Sequence, residues 1–209
     1  MVRRGTFGMT IKRGIKSAVS TLLSWLLRIT APLREGAERI YAHALLAATL
    51  NEQLPASVIV LGRVSIHGTG RIHIGENVLL YPDIHLETQG NARIELGDGL
   101  VISRGTHIVA AAGVSIGKGS MIGEYTSIRD ANHTRDPDRP LRDSGYSAKP
   151  IEIGQEVWLG RGVTVLGGVQ IGDKATVGAN AVVTRNVPEG VTVAGIPAMP
   201  ISSRVTGAR

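Results

Sequence analysis

The 209-residue chain has no cysteine, only 3% aromatic residues and 27 glycines. Disulfides, thiolate zinc sites and cysteine nucleophiles are excluded, and a repetitive core of Ile, Val, Leu and Gly is favoured over one built on large rings. The net charge of +6 lies wholly in the first quarter: residues 1–50 carry eight Lys/Arg and two Asp/Glu, and residues 51–209 carry fifteen of each. The main body therefore lacks the basic face that marks a nucleic-acid-binding domain, and no nucleic-acid partner is expected. Absence of cysteine fits a cytoplasmic protein.

Residues 11–29 predict a helix. Ile11, Ile15, Val19, Leu22, Leu26 and Ile29 recur at spacings of three and four, on one face. Lys12, Arg13, Lys16, Trp25 and Arg28 accompany them. The longest uncharged run, Ser17 to Leu27, is too short for a membrane span, which needs roughly 18–20 residues. Two roles remain open: a cap on the scaffold, or a helix lying on an anionic membrane surface, such as the inner face of the membrane. Pro32 is expected to end this helix, and residues 34–50 predict a second, Ala-rich one. The domain reading is a basic amphipathic helical segment over 1–54 and a repeat domain over 55–209.

From Ile74 onward, aliphatic residues recur six apart. Ile74, Leu80 and Leu86 form one set, Leu96, Ile102 and Ile108 a second, and Ile116, Ile122 and Ile128 a third. After a break, Ile153, Leu159, Val165, Ile171, Val177 and Val183 run uninterrupted. Glycine often follows the aliphatic, as at 75, 97, 117 and 123, and is expected to permit a sharp turn. Short strands, three to a coil of eighteen residues, would stack and bury one aliphatic column. The break, SIRDANHTRDPDRPLRDSGYSAKPIEIG, leaves residues 129–150 as a polar excursion loop carrying His133. Such a loop suits function better than a core.

This pattern resembles the hexapeptide-repeat acyltransferases, over about residues 58–201. It is closest from Ile151 to Ile201, where it is similar to the maltose, galactoside and polysaccharide O-acetyltransferases. The resemblance implies a left-handed parallel β-helix, a homotrimer with active sites between subunits, and acetyl-CoA as co-substrate with no metal. By resemblance, His133 is the general base that deprotonates an acceptor hydroxyl, in direct transfer without an acyl-enzyme. Asp130 and Asn132 flank it, as groups that orient it, contact the acceptor or only cap a turn. Trp158 lines the cleft, and Ser103 stands where relatives carry an acceptor-side asparagine. Coenzyme A would lie against Gly160, Arg161, Gly178 and Ala179, with Thr184 and Arg185 near its phosphates. Met199 replaces a basic residue, and Arg204 is the candidate substitute.

His67, His85 and His107 fall eighteen apart once the four-residue insertion is removed, so they are expected to stack on one outer face, as a surface ladder or a contact between copies. They lack the spacing of the zinc ligands in the gamma-class carbonic anhydrases. The expected activity is acetyl transfer from acetyl-CoA to a saccharide hydroxyl, the basic helix suiting a lipid-linked polysaccharide precursor. The alternatives are N-acyl transfer to an amino sugar or small amine, and a non-catalytic trimeric scaffold.

Overall fold

The computed structural model describes the backbone of residues 6–201 and the side chains of residues 13–201. Its two units are 1–38 and 39–209.

A single helix, α1, runs Thr6–Ala47 with Pro32 inside it. This corrects the expected break. Proline removes one N–H and crowds the preceding turn, at about 3 kcal/mol. Pro32 is exposed, so water can satisfy the carbonyl it frees. Ala31, Arg34, Glu35, Ala37 and Glu38 around it are compatible with helix. Ile15, Val19, Leu22, Leu26, Ile29 and Leu33 are all exposed. Within the second unit, Leu46 is buried in the core, and Ala42 and Ala47 pack against the buried residues.

The repeat domain is a parallel β-helix, as expected. The first sheet stacks Ile59–Val60, Leu79–Leu80, Val101–Ile102, Met121–Ile122, Trp158–Leu159, Thr176–Val177 and Thr192–Ala194. Met199–Pro200 closes it antiparallel to Val193 and Ala194. The second sheet stacks Val64–Gly68, Ile84–Thr88, His107–Ala110, Ser127–Arg129, Thr164–Leu166 and Val182–Val183. The third stacks Ile72–Ile74, Ile94–Leu96, Val114–Ile116, Ile151–Ile153 and Gln170–Ile171.

Every aliphatic of the six-residue series is buried, from Ile74 to Val183. Ser120 and Thr126, four positions after Ile116 and Ile122, are also buried. Ser120 Oγ donates to the Gly154 carbonyl at 3.0 Å, and Thr126 Oγ1 to that of Gly160 at 3.3 Å. The polar groups of the column are thus satisfied, as burial requires.

The glycines after the aliphatics do a different job from the one expected. The left-handed turn residue lies two positions later, and it need not be glycine: Asn77, Tyr125, Lys174 and Asn180 all have φ between 57° and 59°. Gly123 illustrates what the earlier position requires. A Cβ there would lie 2.6 Å from the Arg161 nitrogen in the next coil. Close stacking of backbones, rather than turning, demands glycine at that place.

Candidate active site

The break in the repeat is an ordered β-hairpin rather than an irregular loop. Ala131–His133 pairs antiparallel with Tyr146–Ala148, setting Asn132 opposite Ser147 and His133 opposite Tyr146. The Thr134 amide donates to the Gly145 carbonyl at 3.1 Å, and a 3-10 turn at Leu141–Asp143 lies near the tip. The polar excursion thus finds backbone partners within itself, away from the ladders of the repeat.

Asp130 stands at the root. It is 1% exposed, and its carboxylate accepts hydrogen bonds from the Ala111, Ala112 and Gly113 amides at 2.8, 2.7 and 2.7 Å. Its own carbonyl accepts from the Lys149 amide at 2.9 Å, where the excursion returns. Of the roles open to Asp130 from the sequence, these bonds are those of a turn cap. Its oxygens are turned into the adjacent coil, because three otherwise unpaired amides converge there. These bonds tie the root of the hairpin to the adjacent coil.

Two grooves matter. One, about 460 Å³, is lined by Gln89, Val109, Arg129, Ala131, Asn132, His133 and Tyr146. It lies where the second sheet meets the hairpin, and both His133 and Asn132 are exposed to it. The other, about 470 Å³, lies on the first sheet. Its lining includes Ser103, Met121, Trp158, Gly160, Arg161, Thr176, Gly178 and Ala179. Trp158 pairs with Met121 on one side and Thr176 on the other, and is 56% exposed. Arg161 is held over the Tyr125 ring, 5.3 Å from its centroid, a cation–π contact.

Five sequence candidates beside Trp158 are thus gathered into one groove: Ser103, Gly160, Arg161, Gly178 and Ala179. His133 and Asn132 sit in the other, and the two grooves share no lining residue. Thr184 and Arg185 are exposed just beyond the second-sheet strand Val182–Val183 and line neither groove. Met199 is exposed in the closing strand, and Arg204 lies outside the described residues. Glycine at 160 and 178 is required by stacking whatever the ligand: a Cβ would lie 2.7 Å from the Ala179 nitrogen and 2.8 Å from Ala194 Cβ respectively. Sequence reasoning missed Met121, Thr176, Arg129 and Tyr146. Thr176 was within reach, one coil of eighteen from Trp158. Tyr146 was not, because its place depends on the hairpin register.

The histidine ladder exists with a register correction. His85 pairs with His107, but His67 pairs with Glu87, since Ser65 is the partner of His85. The rings still stack: centroids lie 4.7 Å apart for His67–His85 and 4.2 Å for His85–His107. Burial pushes the His107 pKa down, His85 and Arg129 add to this, and Glu87 opposes it. The fold therefore prefers neutral His107. Stability is full above the unfolded-state value near about 6.5 and falls as pH drops from there to the lowered folded value. Thermal melts from pH 8 to pH 5 should show this loss, and His107→Gln should reduce it. Among the described residues, no group of three or more His, Cys, Asp or Glu is arranged to hold a metal.

The bacterial transferase hexapeptide (six repeats) pattern matches residues 150–185. A protein of Escherichia coli assigned to lipopolysaccharide biosynthesis as the O-acetyl transferase WbbJ is 34% identical over 141 residues, covering 64% of this chain and 72% of that one. The chain belongs to the hexapeptide-repeat transferases. The galactoside O-acetyltransferase of Lactococcus lactis is 33% identical over 126 residues, and the chain spans 60% of its length. Two solved structures superpose on the chain. The Bacillus cereus N-acyltransferase AntD, in complex with a dTDP-amino sugar and coenzyme A, has a TM-score of 0.64 at 20% identity, covering 76% of this chain and 86% of that one. A Vibrio cholerae hexapeptide-repeat acetyltransferase with acetyl coenzyme A gives 0.53 at 23%, covering 90% of each. Membership of the hexapeptide-repeat transferases thus agrees with the observed fold.

Proposed function

We propose that the protein is an acetyl-CoA-dependent O-acetyltransferase acting on a saccharide hydroxyl, with His133 as general base. The observation that carries this reading is the pair of separate grooves. One offers an exposed imidazole on an anchored arm; the other is a trough with apolar walls and small residues, open to a narrow thioester chain. A cleft between two copies would unite them. The second-sheet side supplies His133, Asn132, Thr184 and Arg185. The first-sheet side of the neighbouring copy supplies Ser103, Trp158, Gly160, Arg161, Gly178 and Ala179. A closed ring of three copies makes three equivalent clefts.

In that cleft His133 takes the acceptor proton as the hydroxyl oxygen bonds to the thioester carbonyl carbon. The C–S bond breaks, and the imidazolium returns the proton to the departing thiolate, giving the acetyl ester and free CoA. Neutral imidazole suits this task near neutral pH. The names of WbbJ and the galactoside enzyme favour a saccharide hydroxyl as acceptor.

The cleft arrangement is tested by mixing two inactive variants. His133→Ala lacks the base, and Ala179→Trp fills the trough. Random co-assembly pairs an intact base with an intact trough in about a quarter of clefts. Refolding the two together should recover activity of that order. No recovery, with both variants assembled, would place the whole site within one copy.

The exposed apolar stripe of α1, with Arg13, Lys16 and Arg28 near it, supports contact with an anionic membrane face. Each cation would add about 1 kcal/mol. No described helix is long and apolar enough to cross a membrane. Flotation with anionic but not neutral vesicles is expected, lost when residues 1–30 are deleted; equal flotation without them would remove this part of the reading. A lipid-linked acceptor would be met at such a surface.

A further inference from the structure

We propose that His67, His85 and His107, with Glu87 and Gln89, form an extended subsite for sugar residues beyond the one acetylated, making the natural acceptor an oligosaccharide or polymer repeat. This rests on the acetyl-transfer reading and specifies its substrate class.

The strip is continuous with the base. Gln89 lines the same groove as His133. Its Nε2 donates to Glu87 Oε1 at 2.8 Å, and the other Glu87 oxygen lies 3.4 Å from His85 Nε2. His85 is in turn sandwiched between His67 and His107. A polar chain therefore leads from the groove across the strands of three successive coils. At a strand spacing of ~4.8 Å the path is roughly 10–15 Å long, more than a single pyranose occupies.

The chemistry suits a neutral polyhydroxylated chain. An imidazole ring in its neutral form presents one donor and one acceptor, as a sugar hydroxyl does. Burial disfavours protonation of His107, and the Glu87 anion opposes the Arg129 cation, so the strip has no strong field for an anion. It is also rigid. The rings stack at interplanar angles of 25° and 24°, and the His85 and Glu87 side chains are only 27% and 28% exposed. Binding there orders few further side chains, which favours affinity. A merely solvated face would more usually carry mobile Lys and Glu.

The test measures acetyl-CoA-dependent CoA release with a panel of free sugars, nucleotide sugars and oligosaccharides of two to six units, for wild type, His85→Ala and Glu87→Gln. Oligosaccharides are expected to be better acceptors than the matching single sugar. Losing one or two hydrogen bonds should raise their KM about tenfold in either variant. The KM for acetyl-CoA should stay within about twofold. Release with single sugars or nucleotide sugars but not with oligomers would overturn the subsite and leave the transferase standing. The same conclusion follows if the variants keep the wild-type preference for length. No release with any of these or with a lipid-linked oligosaccharide in anionic vesicles would remove the transferase reading itself, and the subsite with it.

Discussion

His133→Ala is expected to lower kcat by about 10²–10⁴ while acetyl-CoA still binds. The size of the loss is that of a positioned general base. A saccharide hydroxyl is a weak nucleophile, and without a base its oxygen must shed its proton to water after attack has begun. Binding should survive because no residue lining the Trp158 groove also lines the His133 groove. The hairpin should survive as well. Its register depends on backbone pairs and on Asp130, and the imidazole is exposed. CoA-release kinetics beside a calorimetric titration with CoA would separate the two effects. Retention of more than about a tenth of the wild-type kcat would show that some other group removes the proton.

Asp130→Ala is expected to cost on the order of 3–5 kcal/mol of stability. Three amides lose their acceptor in a site that is almost fully buried, and each unsatisfied donor costs about 1–3 kcal/mol before relaxation or water entry. Asp130→Asn keeps one carbonyl oxygen and should fall between alanine and wild type. Denaturant unfolding of each variant measures the cost. A role confined to stability would leave kcat intact in the folded fraction. Anchoring predicts more: where the variant remains folded, kcat falls and the KM for acetyl-CoA holds, because the displaced arm carries the base and not the trough. A loss below about 1 kcal/mol would mean that the Ala111–Gly113 turn finds other partners and that Asp130 is not the anchor.

How far the sequence reached can be traced residue by residue. The aliphatic column from Ile74 to Val183 was legible because a six-residue period admits few other folds, and every member is buried. Trp158, Gly160 and Gly178 were assigned to a cleft by family resemblance, and the coil period accounts for their lining one groove. Pro32 misled because local propensity speaks against proline within a helix, whereas exposure reduces the consequence there. The glycines at 117 and 123 were found for the wrong reason, since close approach between coils leaves no local mark distinct from a turn. Asp130 and Tyr146 could not be placed from spacing at all. Their positions depend on where an insertion folds back, and that is decided by amides contributed from another coil. His67 shows the limit of counting: the extra residues in its coil shift its pairing to Glu87, although its ring still reaches His85.

The most direct test of the central claim is the chemical nature of the product. The protein would be incubated with acetyl-CoA and the best saccharide acceptor, and the purified product examined by mass spectrometry before and after mild hydroxylamine treatment. The account predicts the gain of one acetyl group per transfer, dependent on His133 and removed by hydroxylamine, as an O-acetyl ester would be. An acetyl group that resists hydroxylamine and appears only on amino sugars would contradict it, and would make the protein an N-acetyltransferase.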